Sequence, residues 1–318
     1  MSRCVRMGPT LVKLALRSGV TAVLVVVAAG CTGGTDDGSN PDADVAETVD
    51  EGADVAETVE EATDVLDAAD DGAAADPTAF RLTGSLATAR DTHTATRLPD
   101  GRVLVVGGES TSGAMLASIE IFDPASETWS SGVSLSVPIC NHTATLLADG
   151  RVLVAGGGPS NSVGGPAPSG IEASAWLYDP ATGAVSAAAS MADARSAHTA
   201  TLLPDGRVLV VGGATNAASG VHGRALDGAE IYDPAADAWT AVAPLAVRRF
   251  LHTAVLLPGG RVVVAGGSDE AERVFMDTEV LDVAAGTWSA GPPIAESRVF
   301  HVAAPLPSGG ALIAAGKL

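Results

Sequence analysis

The sequence has little positive charge and few cysteines. Its 18 Lys and Arg residues stand against 38 Asp and Glu residues, and the formal net charge is -20. Such a chain does not attract nucleic acid or an anionic lipid surface, because both are polyanions that bind clustered cations. Of the cysteines, Cys140 alone lies in the body of the chain, so no internal disulfide is possible there. We interpret Cys140 as a small buried side chain.

Motifs typical of common enzyme classes are also missing. The chain has no Gly-rich phosphate loop and no clustered pair of carboxylates for acid–base work. We therefore predict no catalytic residue, no cofactor and no metal ion. What the chain does have is length: 318 residues with 47% hydrophobic composition can bury a sizeable core.

Residues 1–31 are typical of an export signal. Four basic residues precede an apolar run from Val20 to Ala29, which is too short to span a bilayer. The segment ends in Ala28-Ala29-Gly30-Cys31, which resembles the lipobox of bacterial lipoproteins. That resemblance implies lipidation of Cys31 and an exported chain anchored to the bacterial cell envelope. The alternative is an ordinary small-residue cleavage site with an incidental cysteine.

Residues 32–77 are rich in acidic residues, contain no basic residue, and carry a short repeat whose copies begin at Asp44, Asp54 and Asp64. The period of this repeat fits no helical seam, and the carboxylates repel one another. We predict a disordered, extended acidic linker that holds a domain away from a membrane.

The rest of the chain, residues 78–318, repeats itself. Each repeat has a segment that begins with His and ends at a Gly pair, followed by a segment with an Asp and then an aromatic position. Three intervals are the same in every repeat: from the His to the Gly pair, from the Asp to the aromatic position, and from that position to the next His.

Only one interval of the repeat changes in length, and it lies between the Gly pair and the Asp. It is longer from Gly156 to Asp179 and from Gly212 to Asp233 than from Gly107 to Asp123 or from Gly266 to Asp282. All variation in length therefore falls in one loop per repeat.

The pattern predicts four antiparallel strands per repeat. A strand after His, a Pro-Asp-Gly type turn and a Val-rich strand form an inner hairpin, and the Asp and Trp segments form an outer one. Continuous Val and Leu runs are buried on both faces, which is achieved when sheets pack side by side around an axis. The fold class is therefore all-β.

These repeats resemble the Kelch family, including the central domain of galactose oxidase. The matching residues are Gly107, Gly108, Gly156, Gly157, Gly212, Gly213, Gly266 and Gly267, with Trp129, Trp239 and Trp288. Departures are Val185 for Trp, Leu281 for Tyr and Ala315 for the first Gly. The resemblance implies a Kelch-type β-propeller of about five four-stranded blades, the last incomplete. An N-terminal strand at residues 80–86 would supply its outermost strand, with a third strand near residues 65–67 unless the natural chain continues past Leu318.

Five histidines occupy one position of the repeat, and we assign them a structural role in which each starts an inner strand and bonds to a neighbouring blade. They are His93, His142, His198, His252 and His301. Symmetric repetition is what a structural requirement produces, whereas a catalytic residue is unique to its site.

Ligand-binding candidates lie on the loops before these histidines and after the Gly pairs, which open on one face in the Kelch family. They are Arg90, Arg195, Arg248, Arg249, Arg298, Glu109, Asn161, Asn216, His222 and Asp269. A mildly basic rim of this kind would hold an acidic peptide or a sugar. Alternatively, each arginine pairs with a repeat carboxylate such as Asp123.

We thus expect a membrane-tethered binding module for a protein or carbohydrate ligand, monomeric, reaching the membrane only through its lipid, and without a nucleic-acid partner. The alternative is a sugar-active enzyme of mutarotase or oxidase type that uses Arg and His around a central channel. A purely structural role as an envelope spacer is the third possibility.

Overall fold

The computed structural model describes residues 83–158, 170–215 and 223–317. The export signal, Cys31 and the acidic linker lie outside this part, as do Asn161, Asn216 and His222. The described residues form strands and turns, with no helix that could span a membrane.

The described strands are, in chain order, β1 (Arg90–Asp91), β2 (Thr94–Arg97), β3 (Val103–Val106), β4 (Glu109–Ser110), β5 (Ile119–Asp123), β6 (Thr128–Ser131), β7 (Thr143–Leu146), β8 (Val152–Ala155), β9 (Ala175–Asp179), β10 (Ala184–Ala188), β11 (Thr199–Leu202), β12 (Val208–Val211), β13 (Ala214–Thr215), β14 (Arg224–Ala225), β15 (Ala229–Asp233), β16 (Ala238–Val242), β17 (Thr253–Leu257), β18 (Arg261–Ala265), β19 (Thr278–Asp282), β20 (Thr287–Ala290), β21 (Val302–Pro305) and β22 (Ala311–Ala314).

Each repeat forms one antiparallel sheet, as its pattern predicts. The four complete sheets have the orders β2-β3-β5-β6, β7-β8-β9-β10, β11-β12-β15-β16 and β17-β18-β19-β20, and are called sheets 1 to 4. The fifth repeat forms the two-stranded hairpin β21–β22, called hairpin 5. The first strands of consecutive units lie next to each other, so the units stack side by side along their inner hairpins.

The Val-rich second strands explain this stacking. In β12, Val208 and Val210 pack against sheet 2, whereas Leu209 and Val211 pack against sheet 4. Because successive side chains of a strand point to opposite faces, an uninterrupted apolar run supplies both neighbours with a surface. The main cores therefore lie between consecutive sheets, one for each pair among sheets 1 to 4.

The three repeat tryptophans have equivalent surroundings. Each indole Nε1 donates a 2.7 Å hydrogen bond to a carbonyl in the segment that enters its sheet: Trp129 to Gly84, Trp239 to Ala189 and Trp288 to Ala243. Residues 83–86 pass beside Trp129 and form no strand. The sequence predicted a strand at residues 80–86, and for residues 83–86, the part of it that the structure describes, that prediction is wrong.

The backbones of neighbouring units approach most closely at the Gly pairs. A Cβ atom on the first glycine of each pair would lie 2.4–2.7 Å from a carbonyl oxygen of the next unit and 2.8–3.0 Å from its histidine ring. The second glycine donates its N–H to that same carbonyl at 2.9 Å, as Gly157 does to Arg195. Gly is required here because both the space and the positive φ exclude a side chain.

The repeated histidines also join one unit to the next. In the last four of the five histidines, Nε2 lies within hydrogen-bonding distance of the hydroxyl of the threonine that follows the previous histidine. The pairs are Thr94–His142 (2.8 Å), Thr143–His198 (3.0 Å), Thr199–His252 (3.0 Å) and Thr253–His301 (2.9 Å). Burial lowers the pKa of His142 and of His252 to about 3, and holds the pKa of His198 well below its usual value. These rings are neutral at physiological pH.

We predict that Thr199→Val destabilises the fold. The change keeps the side-chain shape but leaves His252 Nε2 buried without its partner, which costs about 1–3 kcal/mol. Urea unfolding should show this decrease, whereas Thr201→Val on the same strand should leave the free energy of unfolding unchanged or raised. Equal effects of the two changes would contradict the role of the hydrogen bond.

Stability should also fall as the pH drops from about 6.5 to 5. The unfolded chain takes up protons on His142, His198 and His252 in this window, whereas the folded chain does not, because burial lowers their pKa values. Each of the three contributes up to about 1.4 kcal/mol per pH unit, with higher stability at higher pH. Denaturant titrations across the window test this, and His252→Gln should show a shallower slope. A free energy of unfolding that stays constant over this window would contradict the prediction.

Candidate functional site

Two sets of loops meet at one end of the stacked sheets, called the loop end. One set enters each first strand, and the other connects each second strand to the third. They pair through β1–β4 and through the bridges Cys140–Gly158, Ser196–Ala214, Phe250–Ser268 and Val299–Lys317. The backbone hydrogen bonds of these bridges are 2.8–3.3 Å long. The loops that the sequence placed on one face are thus hydrogen-bonded to each other.

The residues just before the repeated histidines continue this scaffold across the units. Thr92, Asn141, Ala197, Leu251 and Phe300 all have φ between 48° and 56°, the left-handed conformation. Asn141 N–H donates to the Thr92 carbonyl at 3.1 Å, Ala197 to Asn141 at 2.8 Å and Leu251 to Ala197 at 3.1 Å. Non-glycine residues in this region carry a strain of about 1–3 kcal/mol each and persist only where surrounding contacts hold them. The loop end is therefore a rigid, pre-arranged backbone.

Three of the candidate arginines are buried. The side chains of Arg90, Arg195 and Arg249 have 0% exposure and pair with Glu120, Glu230 and Glu279 respectively. The Arg195–Glu230 distance is 2.6 Å and the Arg249–Glu279 distance is 3.0 Å.

Each guanidinium also donates to backbone carbonyls of its own sheet. Arg195 Nη1 donates to Gly212 at 2.7 Å and to Gly228 at 3.0 Å, and Arg249 Nη1 donates to Gly266 at 2.7 Å. Burial lowers the pKa of Arg249, which also lies 5.2 Å from the Phe275 ring centroid. The terminal nitrogens of these arginines bond to the scaffold, whereas Arg195 Nε is buried without a hydrogen-bond partner. Their role as ligand-binding residues stays a prediction.

The carboxylate partners differ from the one that the sequence suggested. Asp123 accepts the Ala125 N–H at 2.8 Å and caps its own turn. The carboxylate that pairs with Arg90 is instead that of Glu120, which lies three residues before Asp123 on β5. A comparison of the repeats could have identified glutamate as the partner of the arginine. The second repeat has Ile139 in place of the arginine and Trp176 in place of the glutamate, and the two side chains share one apolar core. Arginine and glutamate are thus replaced together.

The other candidates divide between the surface and the scaffold. Arg248 is 46% exposed, with its Nη1 3.8 Å from Glu270, and Arg298 is 20% exposed and paired with Glu296 at 3.1 Å. Glu109 is half-buried opposite Asp91. Asp269 is buried and accepts the N–H groups of Ala271 and Arg273 at 3.0 and 3.1 Å, so it shapes its own loop.

The loop end is not basic, which corrects the rim expected from the sequence. The acidic residues of its described loops are Asp91, Glu109, Glu172, Asp193, Asp227, Asp269, Glu270, Glu272, Asp277 and Glu296. The basic residues there are Arg90, Arg195, Arg224, Arg248, Arg249, Arg273, Arg298 and Lys317. Because three of these arginines are neutralised in the interior, the exposed rim is acidic overall.

Cys140 lies at the same end and is fully buried. Its Sγ donates a 2.8 Å hydrogen bond to the Gly158 carbonyl. Burial raises the pKa of the thiol to about 11, which keeps it protonated and unreactive. Within the described ranges, no group of three or more His, Cys, Asp or Glu side chains is arranged to hold a metal ion.

Sheets stacked along their inner hairpins, with Gly pairs at each junction, define a repeat protein of the β-propeller class. Residues 195–246 match the Kelch motif. The fold is similar to the solved structure of YjhT, with a TM-score of 0.57 and 15% sequence identity over 72% of this chain and 77% of that chain. At this identity the similarity concerns the fold alone. A comparison with curated proteins gives no match.

The paired replacement of Arg and Glu generates a prediction. Glu230→Gln removes the closest counter-charge of the buried Arg195 and leaves only the Asp193 carboxylate, which is 3.8 Å away and 55% exposed. The change should lower the free energy of unfolding by up to about 3–5 kcal/mol. The double variant Arg195→Ile with Glu230→Trp copies the pair of sheet 2 and should be more stable than Glu230→Gln. Denaturant unfolding measures both, with Asp233→Asn at the end of β15 as the control, because asparagine keeps an oxygen that can accept the Ala235 N–H. A double variant less stable than the single one would contradict the interpretation.

Proposed function

We propose that this chain is a binding module outside the cytoplasm, tethered to a membrane through Cys31, which recognises a protein or glycan at its loop end. We also propose the finer architecture of five propeller blades, the fifth represented by hairpin 5. The acidic linker, residues 32–77, separates the module from the lipid in this scheme.

One observation carries the proposal: the loop end combines a constant scaffold with loops of variable length. The intervals from each His to its Gly pair, and from each Asp through the aromatic position to the next His, never change. The loops after the Gly pairs, by contrast, differ in length from repeat to repeat. Binding sites are typically built from such loops on a rigid support. The paired backbones and the buried Arg–Glu pairs supply that support.

The distribution of polar groups favours binding over catalysis. A sugar-active enzyme of mutarotase or oxidase type would use the arginines and histidines of this end. Arg90, Arg195 and Arg249 are engaged with carboxylates, and the buried histidines are neutral and face threonine hydroxyls. General acid–base chemistry needs a group whose pKa lies near the working pH and which can reach the substrate.

Shortening the long loops tests the proposal. Residues 159–169 and 216–222 belong to the two longest intervals, and replacing both with short turns keeps the Cys140–Gly158 and Ser196–Ala214 bridges. We expect ligands found with the full chain on a glycan array or in a pull-down to bind at least about tenfold more weakly, a loss of about 1.4 kcal/mol.

The control for this experiment lies at the opposite end of the sheets. Asp205→Ser with Arg207→Ser removes an exposed ion pair in the turn of sheet 3 and should leave binding intact. Unchanged affinity after loss of both loops would reject the loop end as the binding surface.

A further inference from the structure

The loop after the Gly pair of sheet 4 contains a glutamate that is not part of the repeat. Residues 269–273 of this loop form a turn with the same backbone hydrogen bonds as residues 110–114 in the loop of sheet 1. The two loops also have the same length, and Glu270 corresponds in them to Thr111. The turn is therefore common to both sheets, whereas the carboxylate of Glu270 is specific to sheet 4.

The side chain of Glu270 reaches the preceding sheet. Its Oε2 accepts the Ala225 N–H at 3.1 Å. Ala225 is 1% exposed and lies opposite Ala214 in the pairing of β13 with β14. The N–H and carbonyl of Ala214 are bonded to Ser196, at 2.8 and 2.9 Å, and are thus directed away from Ala225. Because a buried N–H group requires an acceptor, the carboxylate from sheet 4 completes the structure of sheet 3 at this point.

A second departure from the repeat supports the same contact. Arg248, in the segment that enters sheet 4, has its Nη1 3.8 Å from Glu270 Oε1. The equivalent residues of sheets 1 to 3 carry no charge; they are Ala89, Pro138 and Ala194. Arg248 is 46% exposed and Glu270 is 39% exposed, so the ion pair is weak in itself. It does favour the orientation in which Glu270 meets the backbone of sheet 3.

Apolar packing joins the same two sheets next to this hydrogen bond. Phe250, in the segment that enters sheet 4, forms a small buried cluster with Ala214 and Ala225 of sheet 3. The backbone of Phe250 is bonded to Ser268 in both directions, at 3.0 and 2.9 Å, and Ser268 lies in the loop that carries Glu270. The β13–β14 pair is therefore held by a side-chain acceptor and by apolar contact, and both belong to sheet 4.

The β13–β14 pair flanks one of the two longest intervals of the repeat. Residues 216–222 lie between the two strands in the sequence. A contact that fixes β13 and β14 to sheet 4 fixes both ends of that interval. Recognition by loops depends on the support that places them, so such a contact bears directly on binding at the loop end.

We infer that Glu270 is a positioning residue. It fixes the β13–β14 pair of sheet 3 to the loop of sheet 4, so that the loops of these two sheets act as one binding surface. Arg248 and Glu270 both depart from the repeat and meet at one junction, whereas a residue that recurs in every unit cannot distinguish one junction from another. The consequence for recognition rests on the function proposed above, but the contact itself does not.

Limited proteolysis of the full chain with trypsin tests the contact without a ligand. The bond between Arg224 and Ala225 is a tryptic site within β14, and trypsin cleaves such a bond only when the strand opens locally. Glu270→Ala should increase the rate of cleavage at this bond at least about tenfold, because the Ala225 N–H loses its acceptor. Cleavage after Arg207, at the opposite end of sheet 3, should keep its rate because the sheet itself stays folded. Mass spectrometry of the fragments measures both rates.

Two further variants separate the hydrogen bond from a general effect of charge. Glu270→Gln keeps an oxygen that can accept the Ala225 N–H, so its cleavage rate should stay within about twofold of the unmodified chain. Glu296→Ala removes another carboxylate of the loop end, one that is 64% exposed and paired with Arg298, and should not change the rate. Three results would overturn the proposal: an unchanged rate in Glu270→Ala, equal rates in the Ala and Gln variants, or an equal increase after Arg207.

Binding measurements test the consequence for recognition, with the strongest ligand from the glycan array or pull-down as the probe. Glu270→Ala should weaken binding at least about threefold, both in the unmodified chain and after replacement of residues 159–169. After replacement of residues 216–222 the same change should cost less than about twofold, because the loop through which Glu270 acts is gone. Equal losses in all three backgrounds would show that Glu270 contacts the ligand, and would overturn its positioning role. A probe whose affinity none of the loop changes alters would reject the proposed function, whereas faster cleavage at Arg224 would still establish the contact.

Discussion

The close approach of consecutive units at the Gly pairs is the constraint on which the rest of the structure depends. The first glycine leaves room for the carbonyl and the histidine ring of the next unit, and the second glycine donates to that carbonyl. With the backbones so close, the first strands lie side by side and the Val and Leu side chains of the second strands reach both neighbours. A single Cβ atom at the first glycine of these four pairs would lie 2.4–2.7 Å from a carbonyl oxygen of the next unit.

The buried Arg–Glu pairs contain arginines that the sequence suggested as ligand-binding residues, and in the structure these arginines hold the loops of the scaffold together. Arg195 joins three parts of the chain. Its backbone carbonyl accepts the Gly157 N–H, and its guanidinium donates to the Gly212 carbonyl and to the Glu230 carboxylate. Buried ion pairs are seldom strongly stabilising in themselves, and apolar residues can replace them. The Ile139 and Trp176 pair of sheet 2 is such a replacement within one chain. The Arg–Glu pairs and the Ile139–Trp176 pair both fix the positions of the loops at the loop end, and neither kind is needed for a large gain in stability.

This arrangement separates support from recognition. Arginine, histidine and glycine hold the loops in place and recur with the repeat, whereas the variable loops and the exposed charges between them are free to differ from unit to unit.

The sequence by itself determined the all-β class, the strands, the junctions and the existence of a loop end. It could do so because strands and tight turns each require particular residue types at nearby positions, and these recur at constant intervals along the chain. It also marked the histidines as structural through their symmetry. It did not identify the partners of Arg90, Arg195 and Arg249, since any of several carboxylates in each repeat is compatible with the spacing and only the register of the third strand selects the glutamate. Nor did it show that the rim is acidic. That property follows from which charges are buried, and burial is decided only when distant segments pack together.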